Sequence, residues 1–255
     1  MENQIKLFNS VTRRNLMFGT FIEQENNAFA TAFGKLAIHT PASLFNPMTI
    51  TGEASSGKTQ FLDSIYYSMR MKMPDSKLIF IRSNAFCLQF EYAMQNKCII
   101  DFFNYYANAN SLFIDDIDYL QQKMDVQAVL LQIIDQMHNS IGKLFFASSI
   151  QPQELSGFDA GLLSEINRGL VLHLHKPDRK TKLEILQTKV MRMNTNVPDK
   201  VLESLVQNDT LSITELENVL MNLLAKSVVL NSKMNLELLQ AVLNETTGQF
   251  GNNNI

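Results

Sequence analysis

Gly52-Glu53-Ala54-Ser55-Ser56-Gly57-Lys58-Thr59 is the stretch around which the rest of this chain is organised. It follows a short apolar run, Pro47-Met48-Thr49-Ile50-Thr51, and leads into Gln60-Phe61-Leu62-Asp63-Ser64-Ile65, where apolar residues return at helical spacing. The glycine-rich turn therefore lies between a strand and a helix, the context a phosphate-binding loop needs. Gly52 and Gly57 let backbone N–H groups around Ser56 converge on phosphate oxygens, and the helix N-terminus adds its dipole. Lys58 supplies a point charge for the β- and γ-phosphates, and Thr59 offers a hydroxyl to Mg²⁺. ATP or ADP with Mg²⁺ is the expected cofactor.

Working outward, short apolar runs recur between helical patterns: Lys77–Arg82, Ser111–Asp115, Lys143–Ser148 and Leu170–Leu174. With residues 47–51 they make five strands of a mostly parallel sheet in an α/β domain. A segment from Phe18 to Ala37 precedes them and suits an amphipathic helix from Asn27 onward. After residue 175 the strand signal ends. Asp178 caps a helix carrying Leu183, Leu186, Val190 and Met193, and Pro198 opens a short one with Val201, Leu202 and Leu205. Ser212-Ile213-Thr214-Glu215 is a capping box ahead of Leu216, Val219, Leu220, Leu223 and Leu224, and a last helix spans Leu236 to Leu243. The expected organisation is an arm over 1–14, an α/β domain over 15–175, an all-helical subdomain over 176–247 and a polar tail over 248–255.

Composition narrows the function. Asp plus Glu (25) slightly exceed Lys plus Arg (22), for a net charge of −3, so nothing in the overall balance supports a protein that works by neutralising many phosphates of DNA. Cys87 and Cys98 are the only cysteines and have no metal-type spacing, which fits a reducing cytoplasm. The start, Met1-Glu2-Asn3-Gln4, lacks the basic and apolar regions of a signal peptide, and no apolar run is long enough to span a membrane.

Leu112-Phe113-Ile114-Asp115-Asp116 is an apolar strand ending in two carboxylates, the partner a phosphate loop needs. One carboxylate, Asp115, is expected to hold Mg²⁺ and the other, Asp116, to orient or deprotonate an attacking water. Ser148 and Ser149 end the next strand, where they suit either a γ-phosphate contact or an ordinary turn. His173 and His175 lie on one face of a strand with no third ligand, so a structural role outweighs a metal.

Together these stretches resemble the DnaA-type AAA+ ATPase family, and in particular its short regulatory members of the Hda type. The similarity runs from about Phe18 to Leu243. Phe18-Gly19-Thr20-Phe21-Ile22 and Asn27 resemble the adenine-pocket segment, which assigns Phe21, Ile22 and Asn27 to the nucleotide. Phe102–Tyr106 ahead of Leu112–Ile117 resembles the approach to Walker B, Ser148–Pro152 the first sensor, and Thr214–Glu217 the second-sensor helix. The resemblance makes the α/β domain an AAA+ P-loop NTPase and the helical subdomain its lid.

The departures carry as much. Glu165 stands where the family places its arginine finger, and Thr214 where it places the second-sensor arginine. A finger is worth roughly 10³–10⁵ in rate, or about 4–7 kcal/mol, so little intrinsic hydrolysis is expected; Arg168 is a candidate substitute. In Gln121-Gln122-Lys123-Met124-Asp125 the basic track of the family is thin, and single-strand DNA binding should be weak. The chain ends about a dozen residues past the lid helix, which the resemblance reads as favouring a regulator without the initiator's helix-turn-helix domain.

Gln4-Ile5-Lys6-Leu7-Phe8 resembles the pentapeptide by which replication proteins dock on the sliding clamp, with Gln4 in a polar subsite and Leu7 and Phe8 in an apolar cleft. The implied partners are the DnaA initiator and the clamp, with no membrane and with a homo-oligomer left open. The implied role is negative regulation of replication initiation. An active ATPase of the initiator or helicase-loader type acting on DNA is the alternative; the helical lid weighs against a small-molecule kinase.

Overall fold

The structure, a computed structural model, describes residues 27–41 and 44–250, with 246–250 by backbone alone. It forms two compact units that divide between Lys176 and Pro177. The first contains α1 (Ala28–Ala37), β1 (Met48–Thr51), α2 (Lys58–Lys72), β2 (Leu78–Arg82), α3 (Ser83–Gln95), α4 (Ile99–Ala107), β3 (Ser111–Asp115), a short 3₁₀ turn (Ile117–Leu120), α5 (Met124–Asn139), β4 (Lys143–Ser148), α6 (Ala160–Arg168) and β5 (Leu170–His173). The five expected strands are present and pair in the order β2-β3-β4-β1-β5, parallel throughout.

Period-two alternation within the strands builds two cores, one on each face of the sheet. Ile79, Ile81, Leu112, Ile114, Leu144 and Phe146 face one side and pack with α3, α4, α5 and α6 through Phe86, Phe102, Leu130, Ile134, Leu162 and Ile166. Met48, Ile50, Leu78, Phe113, Phe145 and Ala147 face the other and pack with α1 and α2 through Ala30, Phe61, Leu62, Ile65 and Met69. A parallel sheet needs helices on both faces, which is why its strands read as continuous apolar runs.

Register turns single residues into a ladder. Phe80, Phe113 and Phe145 are successive cross-strand partners on β2, β3 and β4. Their rings are near-parallel, with centroids 6.0 Å apart for Phe80–Phe113 and 4.4 Å for Phe113–Phe145. Such contacts add to the area buried, and they fix which strand ends lie side by side.

The second unit is all helical, as expected: α7 (Arg179–Arg192), α8 (Asp199–Val206), α9 (Ile213–Val229) and α10 (Leu236–Phe250). Asp178 caps α7 by accepting the Thr181 N–H. The capping box forms at α9, where Ser212 Oγ accepts from Glu215 N and Glu215 Oε2 accepts from Ser212 N at 2.7 Å. Leu186, Val190, Leu202, Leu205, Leu216, Leu220, Leu223 and Leu239 make its core. The last helix continues past Leu243 to Phe250; the run after Leu243 contains no proline to stop it, and its Asn, Thr and Gly residues each cost far less than a proline would. Among the described residues no helix is long and apolar enough to cross a membrane.

Replacing Phe113 by Ala removes the middle ring of the ladder and should cost about 3–5 kcal/mol in urea denaturation, the usual range for a buried aromatic; a loss under about 1 kcal/mol would show that the ladder is not a principal packing element. In the helical unit, Ser212→Ala should cost about 1 kcal/mol. The Ser212 hydrogen bonds hold the Glu215 carboxyl below its ordinary value of 4.5. Its contribution is therefore present above that value and is lost as pH falls through the folded-state pKa, and Glu215→Gln should flatten this acid limb of the melting curve.

Candidate phosphate site

The loop after β1 has the form its glycines require. Gly52 has φ +154°, and a Cβ there would lie 2.3 Å from the Leu174 carbonyl oxygen and 2.6 Å from Ser56 Oγ, so no side chain fits. Gly57, at φ +94°, turns the chain into α2, which starts at Lys58. The first helical backbone bond in this turn is Phe61 N–H to Gly57 O at 2.8 Å. The N–H groups of the opening residues of α2 thus have no carbonyl earlier in the helix to bond, which is the general condition for an anion site at a helix start.

Ser56 Oγ is buried and lacks a hydrogen-bond partner, so the loop contains a polar atom that a phosphate oxygen would satisfy. Lys58 is buried too, and its Nζ donates to Gly52 O at 2.8 Å and Glu53 O at 2.9 Å. Burial pulls its pKa down, while Asp118, Asp116 and Asp115 push back. At the loop's outer side Glu53 Oε2 meets Lys176 Nζ at 2.5 Å.

Thr59 and Asp115, assigned separately to a metal, are brought together. Thr59 Oγ1 donates to Asp115 Oδ2 at 2.8 Å, although β4 lies between β1 and β3 in the sheet. Asp115 is wholly buried, and its Oδ1 accepts the Asp116 N–H at 3.2 Å. Asp116 sits in left-handed conformation, φ +56°, ψ +49°, at the turn leaving β3. Mg²⁺ is normally held by one or two protein oxygens plus substrate phosphates, and this hydroxyl and carboxylate fit that donor set. Among the described residues no group of three or more His, Cys, Asp or Glu could hold a metal unaided.

The turn after β4, where the sequence suggested a sensor, is closed by hydrogen bonds to its own backbone. Ser148 Oγ donates to Ile150 O at 2.7 Å and accepts from Ile150 N at 3.1 Å, so it closes its own turn. Ser149 is exposed, and its N–H donates to Asp118 Oδ1 at 3.0 Å. Asn27 is placed by both ends of its amide on the chain after β5, donating to His175 O at 3.2 Å and accepting from His175 N at 2.9 Å. His173 Nδ1 lies 2.9 Å from Gln151 Nε2 and 3.3 Å from Thr51 Oγ1, a link between strand ends. Phe21, Ile22, Gln4, Leu7 and Phe8 lie outside the described residues.

Two residues near the loop were missed in the sequence. Asp118 anchors the turn after β4 from the 3₁₀ turn that follows β3, and Arg82 lies 3.7 Å from Asp115 Oδ2. A charge ending an apolar strand at the sheet's carboxyl edge pointed to Asp115, and the same signal at Arg82 could have found it. On α6, Glu165 Oε2 lies 3.0 Å from His138 Nε2 and 3.3 Å from Arg168 Nη1, so this carboxylate is held among groups of the same protein.

Known proteins resemble this chain in sequence and fold. The model of the bacterial DnaA ATPase domain matches residues 12–173. The chromosomal replication initiator DnaA of Bacteroides fragilis is 27% identical over 230 residues, covering 90% of this chain and 48% of the relative. The DnaA of Tropheryma whipplei is 29% identical over 234 residues, covering 92% of the chain and 49% of its own length. The chain spans about half the length of the curated relatives it matches. Among solved structures, domain III of the Thermotoga maritima initiation protein DnaA superposes with a TM-score of 0.86 at 26% identity, covering 92% of this chain and 98% of that one. The AMPPCP-bound DnaA of Aquifex aeolicus, at 24% identity and a TM-score of 0.75 over 84% of this chain and 66% of that one, shares the fold. With a strand–loop–helix phosphate site, a carboxylate pair ending β3 and a family model matched over most of the α/β unit, the chain belongs to the bacterial DnaA ATPase-domain family.

Proposed function

We propose that this chain is a nucleotide-holding AAA+ regulator of chromosomal replication initiation, of the Hda type. It meets the DnaA initiator through AAA+ to AAA+ contact and docks on the sliding clamp through Gln4, Leu7 and Phe8. The observation that supports this reading is the unpartnered, buried Ser56 Oγ in the glycine-bounded loop with Lys58 and the Thr59–Asp115 pair, in a chain that has a carboxylate, Glu165, where the resemblance expects a finger. Gly52, Ser56, Gly57 and Lys58 take the phosphates, Thr59 and Asp115 take Mg²⁺, and Phe21, Ile22 and Asn27 bound the base. Mg²⁺ when bound neutralises phosphate charge; the chain's own residues orient the phosphates around it.

Asp116 and Ser149 are the residues for activating and sensing an attacking water, yet the cations that stabilise the transition state are lacking at Glu165 and Thr214. A carboxylate presented to a neighbour's γ-phosphate repels it. Arg168, the candidate substitute, is paired with that same Glu165. Nucleotide then acts as a switch or structural ligand, and the regulator limits initiator assembly by occupying its AAA+ face.

ADP or ATP at about a hundred times its Kd should stabilise the wild-type chain by about 2.7 kcal/mol, and Lys58→Ala should abolish that rise while leaving the circular dichroism unchanged. Single-turnover hydrolysis by the chain alone should fall on the order of 10⁻⁴–10⁻³ s⁻¹, the range of P-loop enzymes without a finger. Brisk turnover that Lys58→Ala removes and added initiator does not change would overturn the regulator reading. Pull-down of the clamp should fail with Leu7→Ala/Phe8→Ala, and retained capture would discard the tether. Micromolar single-strand affinity at about 150 mM salt, with a steep salt slope, would instead support an ATPase acting on DNA.

A further inference from the structure

Arg82 ends β2, and parallel pairing puts it in register with Asp115 at the end of β3. Its Nε stands 3.7 Å from Asp115 Oδ2, beyond hydrogen-bond length but within ion-pair range. That oxygen is the one that accepts the Thr59 hydroxyl, so one carboxylate atom faces both the residue assigned to the metal and a guanidinium. The Asp115 side chain is wholly buried, and that of Arg82 is 54% exposed. A buried carboxylate is costly without nearby cations, and Arg82 contributes one beside Lys58 while keeping part of its guanidinium in water.

We propose that Arg82 is a positioning residue that competes with Mg²⁺ for Asp115, so that this chain holds its nucleotide with a reduced dependence on divalent cation. The inference deepens the nucleotide-holding reading above and rests on it. Without metal, Arg82 neutralises Asp115 and leaves the Thr59–Asp115 pair assembled, so the site accepts a phosphate ligand without first acquiring a cation. With metal, a doubly charged ion bound through Thr59 and Asp115 meets a guanidinium fixed to the neighbouring strand, and like charges at such distances repel. The competition is partial. A half-exposed side chain can swing into water, and the ion retains the pull of Asp116 and Asp118, which already act on Lys58 from the same mouth.

The test uses the full chain with ADP, Mn²⁺ as a paramagnetic stand-in read by electron spin resonance, and Mg²⁺ titrations of fluorescent ADP affinity. Arg82→Ala and Arg82→Gln, confirmed as folded by circular dichroism, should bind Mn²⁺ in the ADP complex roughly three- to thirtyfold more tightly than wild type. They should also lose ADP affinity in EDTA, so the ratio of affinities with and without Mg²⁺ rises from a small value in wild type. Unchanged Mn²⁺ affinity and an unchanged ratio overturn the proposal. Weaker Mn²⁺ binding in both variants overturns it too, since Arg82 would then be orienting Asp115 for the ion. A folded wild-type chain that binds no ADP under any condition brings down the nucleotide-holding reading itself, a result distinct from the other two.

Discussion

The hydrogen bond from Thr59 to Asp115 closes the site, and the architecture of the first unit is what allows it. The two residues follow strands that are not neighbours, since β4 separates β1 from β3. The first turn of α2 therefore has to reach over the carboxyl edge of the sheet, which requires the tight turn at Gly52 and the left-handed step at Gly57. The opening in a parallel sheet lies outside the carboxyl ends of its strands, where loops from several strands converge on one ligand.

Charge at that edge is balanced within the protein. Lys58 lies over two loop carbonyls and under the influence of three carboxylates, of which Asp118 acts most strongly. Asp118 in turn holds the backbone of Ser149, so the end of β4 is tied to the turn after β3. Elsewhere in the same unit Glu165 pairs with His138 and Arg168. Removing Asp118 would take away both a counter-charge of Lys58 and the anchor of the Ser149 backbone, so these parts of the edge act together.

Much of the fold was legible because the two cores impose simple patterns. Strands covered on both faces are mainly apolar, so residues 48–51, 78–82, 111–115, 143–148 and 170–173 stand out as short runs. The helical unit announced itself through caps, since Asp178 and Ser212 make the bonds their residue types suit. The end of the last helix was not legible, because Asn, Glu, Thr and Gln neither favour nor forbid a further turn strongly.

Of the site, the sequence by itself determined the parts that act through neighbours along the chain: the glycines, Lys58 and Thr59 of the loop, and the two carboxylates at a strand end. Only the tertiary structure decided which strand ends are adjacent. That placed Arg82 against Asp115, Asp118 against Ser149, Asn27 on the backbone of His175, and His138 on Glu165. The physical reason is that parallel pairing is set by packing over crossovers of many residues. The order β2-β3-β4-β1-β5 is a property of how two apolar faces are covered, and local composition carries no record of it.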